Sequence, residues 1–383
     1  MPTETLKKHG TLVKLDIGRK QYLNFAVTTA IGADSATWFG ILRRHWRDVD
    51  WQFWPKAVIV GMVTCLMFPV ILWERWRYDR KIRATDVKSP VFILGHQRSG
   101  TTYLHYLLGR DEQFGNLTVK ESFMPWVYLT SEDILKRIYR KALPETRPMD
   151  NLRMGLDLPT EPEYSLGNMT ASSMVPGYYF PRRMKEVFSK NVLFEDEKAT
   201  QEWQDTLRYF MQKLAYTHEG KTLLIKSPEN TARVKEILEV FPDARFIHIS
   251  RNPYSVYFST ERLYSITLPM VTFQHCEGKV IEDFILFSYR EMMEKYLRER
   301  ELIPKGHLAE IRYEDLIGNE LEVMEIAYRD CGLENFDAAR PHIASEVKSY
   351  NDYKTNRYDY PEQRKRDVYA AWKGIFGELG YGE

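Results

Sequence analysis

The segment VFILGHQRSGTTYLHYLL, Val91 to Leu108, sets Gly95 and Gly100 at the spacing G-x-x-x-x-G, after an apolar run and ahead of an apolar-periodic helix. Glycines so placed let backbone N–H groups curl around an anion, and the N-terminus of the following helix adds partial positive charge. Ser99, Thr101 and Thr102 contribute hydroxyl groups, and Arg98 puts a cation inside the loop. Thr101 stands where a triphosphate-binding loop carries its lysine. The loop therefore lacks the group that reaches β and γ phosphates, and it suits a smaller terminal anion.

Other charged residues stand at comparable places. Arg251 closes the run RFIHIS and precedes Asn252-Pro253, a setting in which a bidentate phosphate contact is geometrically easy. Lys226 ends the run TLLIK. In LDLPTEPEYSL, the carboxylates of Asp157, Glu161 and Glu163 are close enough to raise one another's pKa toward that of a useful base, to orient Arg98, or to cap a helix. His105 and His248 fall within a helix and a strand and read as core histidines.

The scaffold these residues need is α/β. Short apolar runs at Val91 to Leu94, Leu223 to Ile225 and Arg245 to Ile249 read as buried parallel strands, each leading into a polar loop and a helix. An open parallel sheet with helices on both faces follows, of the P-loop NTPase-like kind, with ligands at the carboxyl ends of its strands. From 123 to 194 the chain is rich in Pro, Met and aromatic residues without clean periodicity, which predicts an irregular helical cap and an apolar pocket wall.

The N-terminal part differs. Ala57 to Trp73 is a run of 17 uncharged residues between Trp51, Phe53, Trp54 and Lys56 on one side and Glu74, Arg75, Trp76, Arg77 and Tyr78 on the other. That length is at the lower edge for spanning a bilayer, and the aromatic and cationic flanks suit a membrane interface; a buried core helix is the alternative. Pro69 predicts a kink. The division expected is a membrane-associating helical segment over 1–85 and a catalytic domain over 86–383.

The charge balance is local rather than global. The 54 Lys and Arg nearly cancel 53 Asp and Glu in 383 residues, which excludes a surface built to coat nucleic acid. Three scattered cysteines, Cys65, Cys276 and Cys331, fit a reducing compartment and neither a disulfide framework nor a zinc cage. The histidines form no metal-binding motif, so no metal is expected.

G-x-x-R-S-G-T-T after a buried strand resembles the phosphosulfate-binding loop of sulfotransferases that use 3′-phosphoadenosine 5′-phosphosulfate. The resemblance extends to Arg251 with Ser259 eight residues on, to LIKSPENTARV at Leu224 to Val234, and to IRYEDLIGN at Ile311 to Asn319. It implies that Arg98, Ser99, Gly100, Thr101 and Thr102 hold the 5′-phosphosulfate, that Arg251 and Ser259 hold the 3′-phosphate, and that Tyr313 contacts the adenine side. It implies Lys226 at the bridging oxygen. Soluble members carry a histidine two residues after that lysine, where this chain has Pro228, so the base is expected to be a carboxylate: Glu121, by likeness to membrane-bound members, or Glu161. The acceptor implied is the hydroxyl of a lipid or sterol-like alcohol, at a membrane surface with the catalytic domain facing the cytoplasm. A lumenal carbohydrate or protein-tyrosine enzyme is the alternative, which the sequons at Asn116 and Asn168 permit. A non-catalytic nucleotide-binding protein is the reading from another class.

Overall fold

The computed structural model describes residues 13–24, 28–131, 146, 155–350 and 361–382. Five strands form one parallel sheet: β1 Val91–Leu94, β2 Phe114–Asn116, β3 Thr222–Lys226, β4 Arg245–Ser250 and β5 Leu308–Arg312, in the order β2-β3-β1-β4-β5. Val91 lies opposite both Leu224 and Arg245, so the strand ends at Leu94, Lys226 and Ser250 fall along one edge. β1 is central and buried on both faces, which is why VFIL reads as a continuous apolar run.

Alternate side chains of the strands enter two cores. Phe92, Leu94, Leu223, Ile225 and Phe246 pack under the helices Glu197–Thr217, Pro253–Val271, Gly278–Glu299 and Glu362–Glu378. Val91, Ile93, Leu224, Ile247 and Ile249 pack under Thr101–Leu108, Glu320–Asp330 and Phe336–Lys348. Helices thus cover both faces, as expected. Two strands escaped the sequence reading for physical reasons. β2 is FGN, too short and glycine-centred to show a pattern, and β5 is an edge strand whose charged Glu310 and Arg312 point outward.

Within 123–194, the described elements include the short helices Pro162–Met169, Val175–Tyr179 and Met184–Asn191 and the 3-10 turn Pro181–Arg183, joined by loops. The N-terminal part packs directly on them: Trp38, Ile41, Phe53 and Val60 share a core with Val175, Tyr179, Phe180 and Phe273. One helix runs from Trp54 to Arg83, opened by Pro55 in its first turn and continuing through Pro69. Its inner face is fixed at two places. Lys56 donates to the carbonyls of Met270 and Thr272, each at 3.2 Å. Glu74 pairs with Lys213 at 2.5 Å and accepts from the backbone N–H of Thr130 at 2.8 Å.

The Glu74–Lys213 pair is almost fully buried, 2% and 1% exposed on the two side chains, so removing one partner strands the other charge in the core. Glu74→Gln is expected to cost about 3–5 kcal/mol in denaturant unfolding. Replacing both residues with methionine is expected to recover most of that loss.

Candidate functional site

The loop after β1 turns on two glycines. Gly95 has φ +137°, and a Cβ there would lie 2.4 Å from the carbonyl oxygen of Ile249 on the neighbouring strand. Gly100 has φ +97°, and its Cβ would lie 2.4 Å from the ring of Tyr313. Between them Arg98 takes φ +74°, a left-handed conformation that a non-glycine residue adopts only when its surroundings hold it there. Those surroundings are the residues predicted for the site. Arg98 Nε donates to Ser259 Oγ at 2.8 Å, and Arg251 donates to the carbonyl oxygen of Arg98 at 3.2 Å. The Arg251 guanidinium sits 4.3 Å over the Tyr313 ring. Ser99 and Thr101 are buried under the loop, and Thr102 faces the adjacent cleft.

Each side chain is delivered by a different element at the carboxyl edge of the sheet. Ser259 comes from the helix Pro253–Val271, which starts where Asn252 accepts from the backbone N–H groups of Tyr254 and Ser255. Arg251 leaves the end of β4, and Tyr313 leaves the end of β5.

Lys226, at the end of β3, is 2% exposed and is paired directly with Glu161, while Thr102 Oγ1 lies 3.4 Å from its ammonium nitrogen. Glu161 is the N-cap residue of Pro162–Met169 but makes no side-chain cap bond, so its carboxylate is given to the lysine. The other carboxylates are elsewhere. Glu163 makes a buried two-pronged contact with Arg233, at 2.7 and 3.1 Å. Asp157 is on the surface, 3.0 Å from Lys120. Glu121 accepts from Thr118 N at 2.7 Å and Thr118 Oγ1 at 2.6 Å, closing the start of its own helix, and lies 3.6 Å from His218. The structure therefore brings Glu161 to Lys226 and does not bring Glu121 there.

Beside this pair lies a cleft of about 100 Å³. Arg98, Thr102, Glu161 and Glu229 are among its polar lining, and Tyr164, Tyr178, Tyr179, Tyr264, Leu268 and Val271 are among its aromatic and apolar lining. Glu229 is the residue the sequence reading missed. It follows Pro228 in the quoted KSPEN segment, and nothing in the sequence tells a solvated acid there from a buried one. Its oxygens accept from Tyr178 and Ser227, each at 2.7 Å. Burial, and then the like charges of Glu163 and Glu161, push its carboxyl up to about 7.

Arg364 is held by Glu261 at 3.1 Å and Glu282 at 2.6 Å, and Lys365 by Glu362 at 2.9 Å. The neighbouring Lys354 lies outside the described residues. His105 and His248 are buried, and burial pushes them down to about 3 and 4, so both are neutral. Asn168 of the second sequon is buried, with its amide donating to the carbonyl of Phe123 at 3.4 Å. Among the described residues no group of three or more His, Cys, Asp or Glu is placed to hold a metal ion.

Comparison with known proteins gives the family and the fold. A family model described as the sulfotransferase family matches residues 90–338. The omega-hydroxy-beta-dihydromenaquinone-9 sulfotransferase Stf3 of Mycobacterium bovis, like that of Mycobacterium tuberculosis, is 30% identical over 365 residues, covering 94% of this chain and 93% of the relative. In fold, the crystal structure of sulfotransferase STF9 from Mycobacterium avium is similar with a TM-score of 0.67 at 15% identity, over 92% of this chain and 97% of that one. Sulfotransferase STF1 from Mycobacterium tuberculosis gives 0.61 at 16% identity, over 94% and 100%.

Gly100→Ala is expected to destabilise the chain by about 1–3 kcal/mol in thermal unfolding, because the backbone is left-handed and Tyr313 occupies the space. Adding Tyr313→Ala is expected to return part of that loss, giving a non-additive cycle. Glu229, raised to about 7 in the folded chain, takes up a proton on folding between its ordinary range near 4.5 and 7. Its contribution to stability therefore falls as pH rises through that window and is flat above it. Glu229→Gln is expected to gain roughly 1–3 kcal/mol relative to the parent chain between pH 5 and pH 8.

Proposed function

The chain belongs to the sulfotransferase family, and from that premise we propose that it carries a sulfuryl group from 3′-phosphoadenosine 5′-phosphosulfate to the hydroxyl of a hydrophobic alcohol. The observation that carries this reading is the Lys226–Glu161 pair at the meeting of a glycine-built anion loop and a tyrosine-lined cleft. The donor fits the residues present. The loop's backbone is pressed against Ile249 and Tyr313 with no room for a Cβ at Gly95 or Gly100, and the side chains of Arg98 and Arg251 bring positive charge to it.

Arg98 and the loop amides from Ser99 to Thr102 hold the 5′-phosphosulfate, Arg251 with Ser259 the 3′-phosphate, and Tyr313 lies toward the adenine. The reaction is an in-line displacement. The acceptor oxygen bonds to sulfur as the bond from sulfur to the bridging oxygen breaks, and the electron pair leaves on the donor's phosphate. Lys226 stabilises that developing charge, and Glu161 takes the acceptor's proton. Without donor the two hold each other. Lys226 must turn from Glu161 toward the bridging oxygen, and that movement frees the carboxylate. The base is thus released where the donor is already seated, which disfavours loss of sulfate to water.

The acceptor enters by the tyrosine and leucine side of the cleft. The relative's name specifies a lipid carrying a terminal hydroxyl, and an alcohol of that hydrophobic class is the acceptor proposed here. We read the Trp54–Arg83 helix as membrane-associating and the catalytic domain, 86–383, as facing the cytoplasm. The three free cysteines and the buried amide of Asn168 support that side over a glycosylating lumen.

Turnover of labelled donor with polyprenol, sterol and sugar acceptors tests the reading: transfer to the lipid alcohols is expected, and transfer to sugars alone would sink it. Glu161→Gln, Lys226→Ala and Arg98→Ala are each expected to lower kcat by roughly a hundredfold or more. Arg251→Ala is expected to act mainly on the donor's KM. Glu121→Gln is expected to leave kcat near that of the parent chain, and a large loss there would return the base to Glu121.

A further inference from the structure

Sixteen large apolar side chains are exposed among the described residues, and twelve of them lie between Leu23 and Trp76. The helix Trp54–Arg83 carries most of these, and they are ordered. Val58, Met62, Leu66, Leu72, Trp73 and Trp76 fall on one side of the helix, with no charged residue on that stripe between its ends. Leu66 is 76% exposed and Trp76 77%. The stripe is about 27 Å long at 1.5 Å per residue. A patch of this size on a soluble chain marks a surface that something covers.

The opposite side of the same helix excludes a transmembrane span. Lys56, Ala57, Val60, Gly61, Thr64, Ile71 and Glu74 are buried, Ala57 and Val60 in a core that joins Trp38 and Phe53 to Val175, Tyr179 and Phe273 of the catalytic part, and Gly61 against Trp38 and Phe39. Lys56 holds the carbonyls of Met270 and Thr272 near one end, and Glu74 holds Lys213 near the other. A helix so attached along its length keeps the sheet domain beside it at every level. Crossing a bilayer would carry the Lys56 and Glu74 contacts, and the domain with them, into hydrocarbon.

Charge says what covers the stripe. Arg43, Arg44 and Arg47, all exposed, lie with Trp46 and Trp51 near its start, and exposed Arg75, Arg77, Arg80 and Lys81 follow its end. The acids nearby are Asp48 and Asp50, in contact with Arg183, Arg182 and His275, and Asp79, in contact with Arg83 and Tyr209. Apolar residues between tryptophans and cations are what an anionic lipid surface binds.

We propose that the helix Trp54–Arg83 lies in the plane of one leaflet of an anionic bilayer, with its outer stripe in the acyl boundary, and feeds the acceptor cleft from that leaflet. This rests on the membrane-associating reading above and replaces span with in-plane docking. The connection to the cleft is direct. The carbonyls that Lys56 holds are at the end of the helix Pro253–Val271, and Tyr264, Leu268 and Val271 of that helix line the cleft, with Thr29 from the N-terminal part beside them. A lipid alcohol leaving the leaflet there meets apolar and tyrosine side chains before it meets Glu161.

The test uses the full chain and vesicles of phosphatidylcholine containing phosphatidylglycerol, with phosphatidylcholine alone as the control. Flotation is expected on the mixed vesicles and to be weaker on the control. Leu66→Glu and Trp76→Glu are each expected to weaken flotation roughly ten- to a hundredfold. Both side chains point away from the domain, so the thermal melt and transfer to a short water-soluble alcohol are expected to be unchanged, while KM for an alcohol embedded in vesicles rises. Flotation needs no turnover, so its success or failure is separate from that of the transferase reading. Fluorophores on Val58→Cys and Trp76→Cys, in a chain with Cys65→Ser and Cys276→Ser, are expected to be quenched alike by shallow nitroxide lipids of the outer leaflet. A label reached only from the vesicle interior would establish a span and overturn the proposal. So would variants that float like the parent chain, flotation equal on both vesicle types, or a parent chain that stays unbound while forming a dimer that the same substitutions break.

Discussion

A buried ammonium group must have a partner, and at the end of β3 the partner of Lys226 is a carboxylate from the cap. Lys226 is 2% exposed and Glu161 23%, so losing the acid leaves a desolvated ammonium, and the contact ties the start of Pro162–Met169 to the sheet edge. Much of the site follows from that attachment. It sets Glu161 beside Thr102 and Arg98, it places Tyr164 on the wall of the cleft, and it leaves Glu163 facing inward to Arg233. The same pairing makes the resting site self-neutralised.

The anion loop depends on a second constraint, closeness. Its backbone passes Ile249 on one side and Tyr313 on the other with no room for a Cβ at either glycine. Arg98 is held left-handed between them, its side chain donating to Ser259 and its carbonyl accepting from Arg251. Four segments far apart in the chain are thereby locked to one another: the loop, the end of β4, the helix carrying Ser259 and the end of β5. Strain at Arg98 is sustained by these contacts, which also gather two guanidinium groups around one small volume. Positive charge is thereby concentrated locally in a chain whose net charge is only +1.

The N-terminal helix divides its side chains between a buried and an exposed side in a way that a hydropathy profile conceals. Its 17 uncharged residues read equally as a span, a core helix or a surface element. Lys56 and Glu74 bound that run and look like flanks in the sequence, yet both point into the protein, while the tryptophans and leucines point out. A third of the helix's most apolar window is buried, 33%, so the helix is neither a core element nor free of the domain.

The amino-acid sequence by itself determined the parallel sheet, the anion loop and the cationic positions around it. These rest on local rules: doubly buried strands are continuously apolar, left-handed turns need glycine, and an arginine or lysine at a strand end reaches the edge where ligands bind. Arg98, Arg251 and Lys226 were legible for that reason, and Ser259 and Tyr313 entered only through the family resemblance, which also supplied the grouping. The choice among carboxylates was not, because an acid's role depends on which charge it meets across the fold. Glu121 closes its own helix, Glu163 neutralises Arg233, Glu161 meets Lys226, and Glu229 is buried among hydroxyl groups. Spacing along the chain is the same kind of fact for all four. Only the tertiary structure, by deciding which cation or hydroxyl group each of them meets, separates the one beside Lys226 from the other three.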